Sequence, residues 1–205
     1  MRLPSQPTLT GELVRLEPLD AAHFDGLRRA LEVDRATFGW TIVPTPATVG
    51  EYAADRFAQR DAGQMSPYAQ IEVASGEPVG HTTYCNPKFR ADGSLYAVEV
   101  GYTWLIPASQ AGALNSESKL LMLTHAFETL GVARVELRTD ARNERSRAAI
   151  EAIGGVFEGV LRNVGMSRVP GEDLRDEAVF SIVRPEWPTT KERLHARLER
   201  KRAAS

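Results

Sequence analysis

Cysteine is nearly missing from this 205-residue chain, and Cys85 is its only representative. A lone cysteine closes no intramolecular disulfide. The four histidines, at positions 23, 81, 125 and 195, form no cluster at ligand spacing, so no metal is expected. Cys85 reads as a small apolar residue on a strand, without a neighbouring motif to activate it as a nucleophile. Long apolar runs are lacking too. Charge or proline interrupts each one well before the ~20 residues needed to cross a bilayer, and Met1-Arg2-Leu3-Pro4 starts no signal-peptide apolar region. The expectation is a cytoplasmic protein with no membrane partner. Charge of one sign is equally scarce: 25 Lys and Arg against 27 Asp and Glu leave a formal charge of −2, which argues against nucleic acid as a partner. Internal repeats and low-complexity tracts are absent.

What the chain does have is enough apolar residue, 42%, to build one sizeable core over its length, so residues 1–205 are read as one domain. Leu13 to Leu16 alternates as a first strand. After Asp20 come Phe24, Leu27 and Leu31 at helical spacing. Pro44 and Pro46 mark a loop before a second helix over about 47–60, with Tyr52, Ala53 and Phe57 on one side. Tyr68 to Ala74 and Val79 to Cys85 make a hairpin around Ser75-Gly76-Glu77-Pro78, and Leu95 to Ile106 is a further strand. A long helix then carries Leu120, Leu123, Phe127 and Leu130 and closes at Gly131. Strand Val132 to Thr139, helix Asn143 to Ile153, strands Val156 to Arg162 and Glu177 to Val183, and an amphipathic basic helix over about 189–203 complete the order. This is an α/β (α+β) pattern in which the strand–helix–strand unit from Val98 to Thr139 should be a right-handed parallel crossover. The terminal helix packs on its own domain or on a partner, with a homodimer favoured. By period-two counting Tyr102 and Trp104 share a strand face with Val100 and read as core. His81 and His125 read as hydrogen-bonded structural residues.

The loop before the long helix is built of small residues: Gln110, Ala111, Gly112, Ala113, Leu114, Asn115. A helix start carries N–H groups without internal partners and a partial positive charge, which suits an anion such as a pyrophosphate when no bulk stands in the way. Asn115 is a candidate cap for that helix. The same residues also fit an ordinary tight strand-to-helix loop. Glu117, in the first turn, opposes an anion unless it points aside.

Taken together, Val98-Glu99-Val100-Gly101-Tyr102-Thr103-Trp104, Gln110 to Asn115, Arg134 to Asp140, Asn143-Glu144-Arg145-Ser146-Arg147-Ala148-Ala149-Ile150 and Glu158 to Arg162 resemble the GNAT acetyltransferase superfamily. The likeness is to the branch that holds the RimJ/RimL-type ribosomal-protein N-terminal acetyltransferases. It spans about residues 8–185. It implies a mixed, mostly antiparallel sheet of about six to seven strands, helices on both faces and a C-terminal helix. The implied activity is transfer of an acetyl group from acetyl-CoA to a primary amine by direct attack in a ternary complex. The acceptor is a protein or peptide N-terminus or a small-molecule amine such as an antibiotic or polyamine, and a non-catalytic acyl-CoA-binding or dimerising module is the alternative.

The family's acyl-CoA loop reads Gln or Arg, two residues, Gly, one residue, then Gly or Ala. Here Gln110 fits, whereas Ala113 stands where the glycine belongs and would be strained if that position needs a positive φ. The resemblance assigns cofactor binding to Trp104, Leu105, Ile106, Gln110, Ala111, Gly112, Ala113, Leu114, Asn115, Asn143 and Ser146. It places the thioester in a V-shaped opening between Glu99–Ile106 and Val135–Thr139. Glu99 falls where some relatives carry a general base, with an edge-facing solvated carboxylate or pairing to an arginine as the other readings. Asn143 and Ser146 match an Asn-x-x-Ser pattern that also makes a good helix start. Ala148, Ala149 and Ile150 offer no tyrosine acid, which leaves Ser146, water or solvent to protonate the thiolate. The acceptor pocket is expected from residues 47–60 and from the segment Ser167 to Arg175, where Glu172 and Asp173 would suit a cation.

Overall fold

A computed structural model describes all residues except 5, 6, 111, 168, 170, 204 and 205, so Ala111, assigned above to the cofactor loop, lies outside the described residues. The strands are β1 (Leu9–Thr10), β2 (Val14–Pro18), β3 (Met65–Glu72), β4 (Pro78–Phe89), β5 (Leu95–Leu105), β6 (Arg134–Asp140), β7 (Val156–Met166) and β8 (Leu174–Val183). The α-helices are α1 (Phe24–Ala30), α2 (Val49–Asp61), α3 (Ala113–Thr124), α4 (Glu144–Ala152) and α5 (Trp187–Arg202), and α3 runs on as a π-helical turn over His125–Thr129. All eight strands form one sheet in the order β1-β2-β3-β4-β5-β6-β8-β7. Among the described residues only β5 and β6 run parallel, as the helical crossover between them requires. The strand beyond the expected number is β1, two residues long and too short to show a period.

Two apolar clusters sandwich the sheet. Leu120, Leu123, Phe127, Trp187, Leu194 and Leu198 of α3, its π turn and α5 join Val98, Val100 and Val135 on one side, and Leu27, Val49 and Ala53 of α1 and α2 join Ala69 and Trp104 on the other. The terminal helix therefore packs on its own chain: Trp187 stacks on Phe127 with ring centroids 5.2 Å apart and donates from Nε1 to Glu128 at 2.8 Å.

Two bulges shape the centre of the sheet. Cys85 pairs with Glu99 and Lys88 with Ala97, leaving an extra residue on β4, where Asn86 has φ 49°. Further along, Thr83 pairs with Gly101 and His81 with Trp104, leaving an extra residue on β5, where Tyr102 has φ 50°. Bulges bend a strand and re-aim its side chains. The second one also corrects the period-two expectation. Val100 faces the α3 side and Trp104 the α2 side, because the inserted residue flips the alternation. Trp104 is core, with Nε1 on the Tyr52 hydroxyl, while Tyr102 is 36% exposed.

The parallel pairing is short. β5 and β6 meet only at Ala97–Arg134, Val98–Val135 and Glu99–Glu136. Beyond Glu99, β5 keeps β4 as its neighbour and β6 keeps β8. The two strands diverge there. Among the described residues no helix is long and apolar enough to cross a membrane.

Candidate active site

A cleft of about 860 Å³ occupies the divergence. β5 lines it from Glu99 to Leu105, β6 from Leu137 to Thr139, α4 with Ser146, Ala149 and Ile150, and α3 with Asn115 and Lys119. Residues 36–42, between α1 and α2, and Val164 to Met166 of β7 close the other end. Of the residues assigned from sequence, Glu99, Trp104, Leu105, Gln110, Asn115, Asn143 and Ser146 meet at this cleft, whereas Ile106, Gly112, Ala113 and Leu114 are not among its lining residues. The acceptor side departs from expectation in part. Arg175, at the end of the expected segment, lines the cleft, but neither α2 nor the pair Glu172 and Asp173 does, and Glu172 is occupied by Arg142 at 2.8 Å.

Glu99 stands at the apex, the last residue of β5 paired to β6, and is 8% exposed. The β4 bulge brings Asn86 to it, whose Nδ2 donates to Oε2 at 2.8 Å, and Arg138 Nε lies 3.6 Å from the same oxygen. A Cβ at position 101 would come within 2.9 Å of Glu99 Oε1, so Gly101 leaves the carboxylate its room. Burial pushes the Glu99 carboxyl up, helped by the charges of Glu177 and Glu136, against the pull of Asn86 and Arg138. Its partner across the pairing behaves in the opposite way. Burial alone would raise Glu136, but Lys88, Arg138 and Arg134 together bring it down to about 2. Two adjacent carboxyls are thus driven apart, Glu136 held as an anion and Glu99 shifted toward its protonated form.

At the other end, the start of α3 has Gly112 as its N-cap and no side chain capping it. Asn115 does not cap the helix as the sequence indicated. It sits inside the first turn, three positions past the N-cap Gly112. Ala113 is helical and outside the positive-φ set, so replacing the family's glycine strains nothing. Ala113 and Leu114 point into the core, which leaves only their backbone for a ligand. Glu117 does point aside: its carboxylate accepts from the N–H groups of Glu12, Leu13 and Val14 at 3.1, 2.6 and 2.9 Å and from Arg202 at 2.8 Å. Gly11 is required beside it, since a Cβ there would lie 2.4 Å from Glu117 Oε2.

Gln110 spends its side chain on protein. Nε2 donates to Leu105 O at 2.7 Å and to Thr37 Oγ1 at 3.1 Å, and Oε1 accepts from Arg145 Nη2 at 2.5 Å. It ties the end of β5 to the 36–42 loop and to the first turn of α4. Asn143 caps α4 through Oδ1 on the Ser146 N–H at 3.0 Å, so its amide NH₂ is the part left for a ligand. His81 is buried between Tyr52 and the Tyr102 carbonyl, with burial lowering its pKa to about 3, and is not a cleft residue. Cys85 is buried, and burial raises its thiol well above the ordinary range. Among the described residues no group of His, Cys, Asp or Glu could hold a metal ion.

Sequence reasoning missed Asn86, Lys119, Arg138 and Arg145. Asn86 and Arg138 reach Glu99 only through the bulge and the sheet. Lys119 carried a legible signal, one helical turn after Asn115 and next to the apolar Leu120, where a charge has no solvent to enter.

A family model described as an acetyltransferase (GNAT) domain matches residues 13–156. A GCN5-related N-acetyltransferase from Brucella melitensis superposes with a TM-score of 0.81 at 31% identity, covering 95% of this chain and 86% of that one. Mycobacterium smegmatis RimJ, solved in complex with CoA-disulfide, superposes at 0.74 with 23% identity over 92% of this chain and 90% of its own. RimL, a ribosomal α-N-protein acetyltransferase solved with coenzyme A, gives 0.68 at 15% identity over 86% and 97%. No curated protein matches. With a match over residues 13–156 and a superposition at 31% identity over 95% of its length, the chain belongs to the GNAT family of acetyl-CoA-dependent N-acetyltransferases.

Proposed function

We propose that residues 1–205 act as one acyl-CoA N-acyltransferase domain that acetylates the α-amino group of a protein or peptide N-terminus. Glu99 is its general base. The observation that carries this reading is the buried Glu99 carboxyl at the point where β5 and β6 part, facing the cleft. Acetyl-CoA supplies the activated acetyl group. An incoming ammonium must lose a proton before its nitrogen can attack, and a carboxylate raised by burial takes that proton directly or through water. Ser146, on the cleft wall at the first turn of α4, is the side-chain hydroxyl assigned to the departing thiolate. The first-turn backbone of α3 and the Asn143 amide NH₂ hold the cosubstrate, with the diphosphate at the helix start.

Support for a peptide acceptor is twofold. RimJ and RimL, whose fold this chain shares, include a ribosomal α-N-protein acetyltransferase. The cleft also runs past Trp40 to Val164 and Met166 of β7, with Arg175 and Glu177 beside them, a mixed apolar and charged mouth suited to a chain end. The test offers acetyl-CoA with peptides starting in Ala, Ser or Met, the same peptides blocked at the α-amine, and small amines. Thiol release with the free peptides only is expected. Turnover of blocked lysine peptides or small amines in preference would replace the acceptor assignment.

A further inference from the structure

Two polar side chains one turn apart on α3 are left incomplete by the protein itself. Asn115 and Lys119 stand at i and i+4, on one helix face, and both line the cleft. Asn115 Oδ1 is buried without a hydrogen-bond partner. Such an acceptor costs free energy unless something supplies a donor. Lys119 is 6% exposed and directs Nζ to Thr103 Oγ1 at 2.7 Å and to Thr82 Oγ1 at 3.3 Å. An ammonium has three protons and these hydroxyls take two. Among the described residues no carboxylate lies within ion-pair distance, and the ionisable neighbours on β4 are Cys85 and His81, which burial keeps uncharged near neutral pH.

We infer that Asn115 and Lys119 bind the amide groups of the acyl-CoA arm, Oδ1 accepting an amide N–H and Nζ donating to an amide carbonyl. The inference rests on the cleft being the acyl-CoA site proposed above. The chemistry of the pair separates the arm from the diphosphate. A phosphate oxygen would satisfy Lys119 but would repel the Asn115 carbonyl oxygen, which needs a donor. The arm carries secondary amides, each with one donor and one acceptor, and so meets both demands. Lys119 sits beyond the first turn of α3 and against β5 at Thr103, along the wall rather than at the helix start, and Asn115 stands one turn before it on the same face. Burial lowers the lysine to about 7, so an acceptor brought to Nζ by a ligand would offset part of what the cation loses by leaving water.

The test measures binding of acetyl-CoA and of 3′-phosphoadenosine 5′-diphosphate, which keeps the phosphates and lacks the arm, by calorimetry on the full chain. Asn115→Leu and Lys119→Met should each weaken acetyl-CoA about 10- to 100-fold, with the nucleotide fragment unchanged within about twofold. In turnover the same variants should raise KM for acetyl-CoA and spare kcat. Equal weakening of both ligands, or of neither, overturns the inference while leaving the cofactor site in place. A parent protein that binds neither ligand removes the site and this inference together. Should Lys119→Met fail to fold, Asn115→Leu decides alone.

Discussion

Glu99 shows how one residue's environment becomes a measurable function. Its folded pKa lies above the ordinary 4.5, so the folded chain keeps a proton that the unfolded chain has released. Its ionisation therefore costs stability as pH rises from about 4.5 through the folded value. Glu99→Gln should be more stable than the parent at neutral pH and equal to it below pH 4.5, as read by thermal melts. Its kcat/KM should fall about 10²- to 10⁴-fold and lose the acidic limb of the pH profile; an unchanged limb would remove Glu99 from the base role. Lys119 obeys the opposite chemistry. Between about 7 and 10.5 the unfolded chain holds a proton that the folded one lacks, so the penalty is full below 7 and fades toward 10.5. The melting-temperature advantage of Lys119→Met over the parent should shrink steadily across that window.

Elements hold these residues in place. α3 is fixed at its start by Glu117, whose carboxylate gathers three backbone N–H groups where β1 turns into β2. Glu117→Ala strands those donors in a buried site and should cost about 3 kcal/mol or more, with urea titration as the measure. α5 in turn clamps α3. Lys201 Nζ donates to Gly112 O at 2.8 Å, Arg202 reaches Glu117, and Trp187 anchors the opposite end. Trp187→Ala should cost about 3–5 kcal/mol. The helices and most strands were legible in the sequence because their periods are local: Leu120, Leu123 and Phe127 mark one stripe whatever they pack against. The bulges at Asn86 and Tyr102 were not legible. An inserted residue is defined only by the pairing of two strands, and period-two counting through Tyr102 put Trp104 on the wrong face.

For the whole molecule, the cosubstrate is a stabilising ligand as well as a reactant. At 100 times its Kd, acetyl-CoA should raise folding stability by about 2.7 kcal/mol, visible as a higher melting temperature. Absence of any shift would contradict binding in the β5–β6 cleft. The sequence by itself determined the order of elements, the parallel crossover between Val98 and Thr139, and the cap at Asn143, because short-range periodicity and caps need no partner to be read, while Glu99 and Ser146 stood out only by resemblance to a family. Only the tertiary structure decided that Glu99 is buried beside Asn86 and Arg138, that Gln110 is spent as a tie to Arg145, and that Asn115 leaves an acceptor bare. Those properties depend on desolvation and on contacts between residues far apart in the chain, and neither exists until the sheet has closed around them.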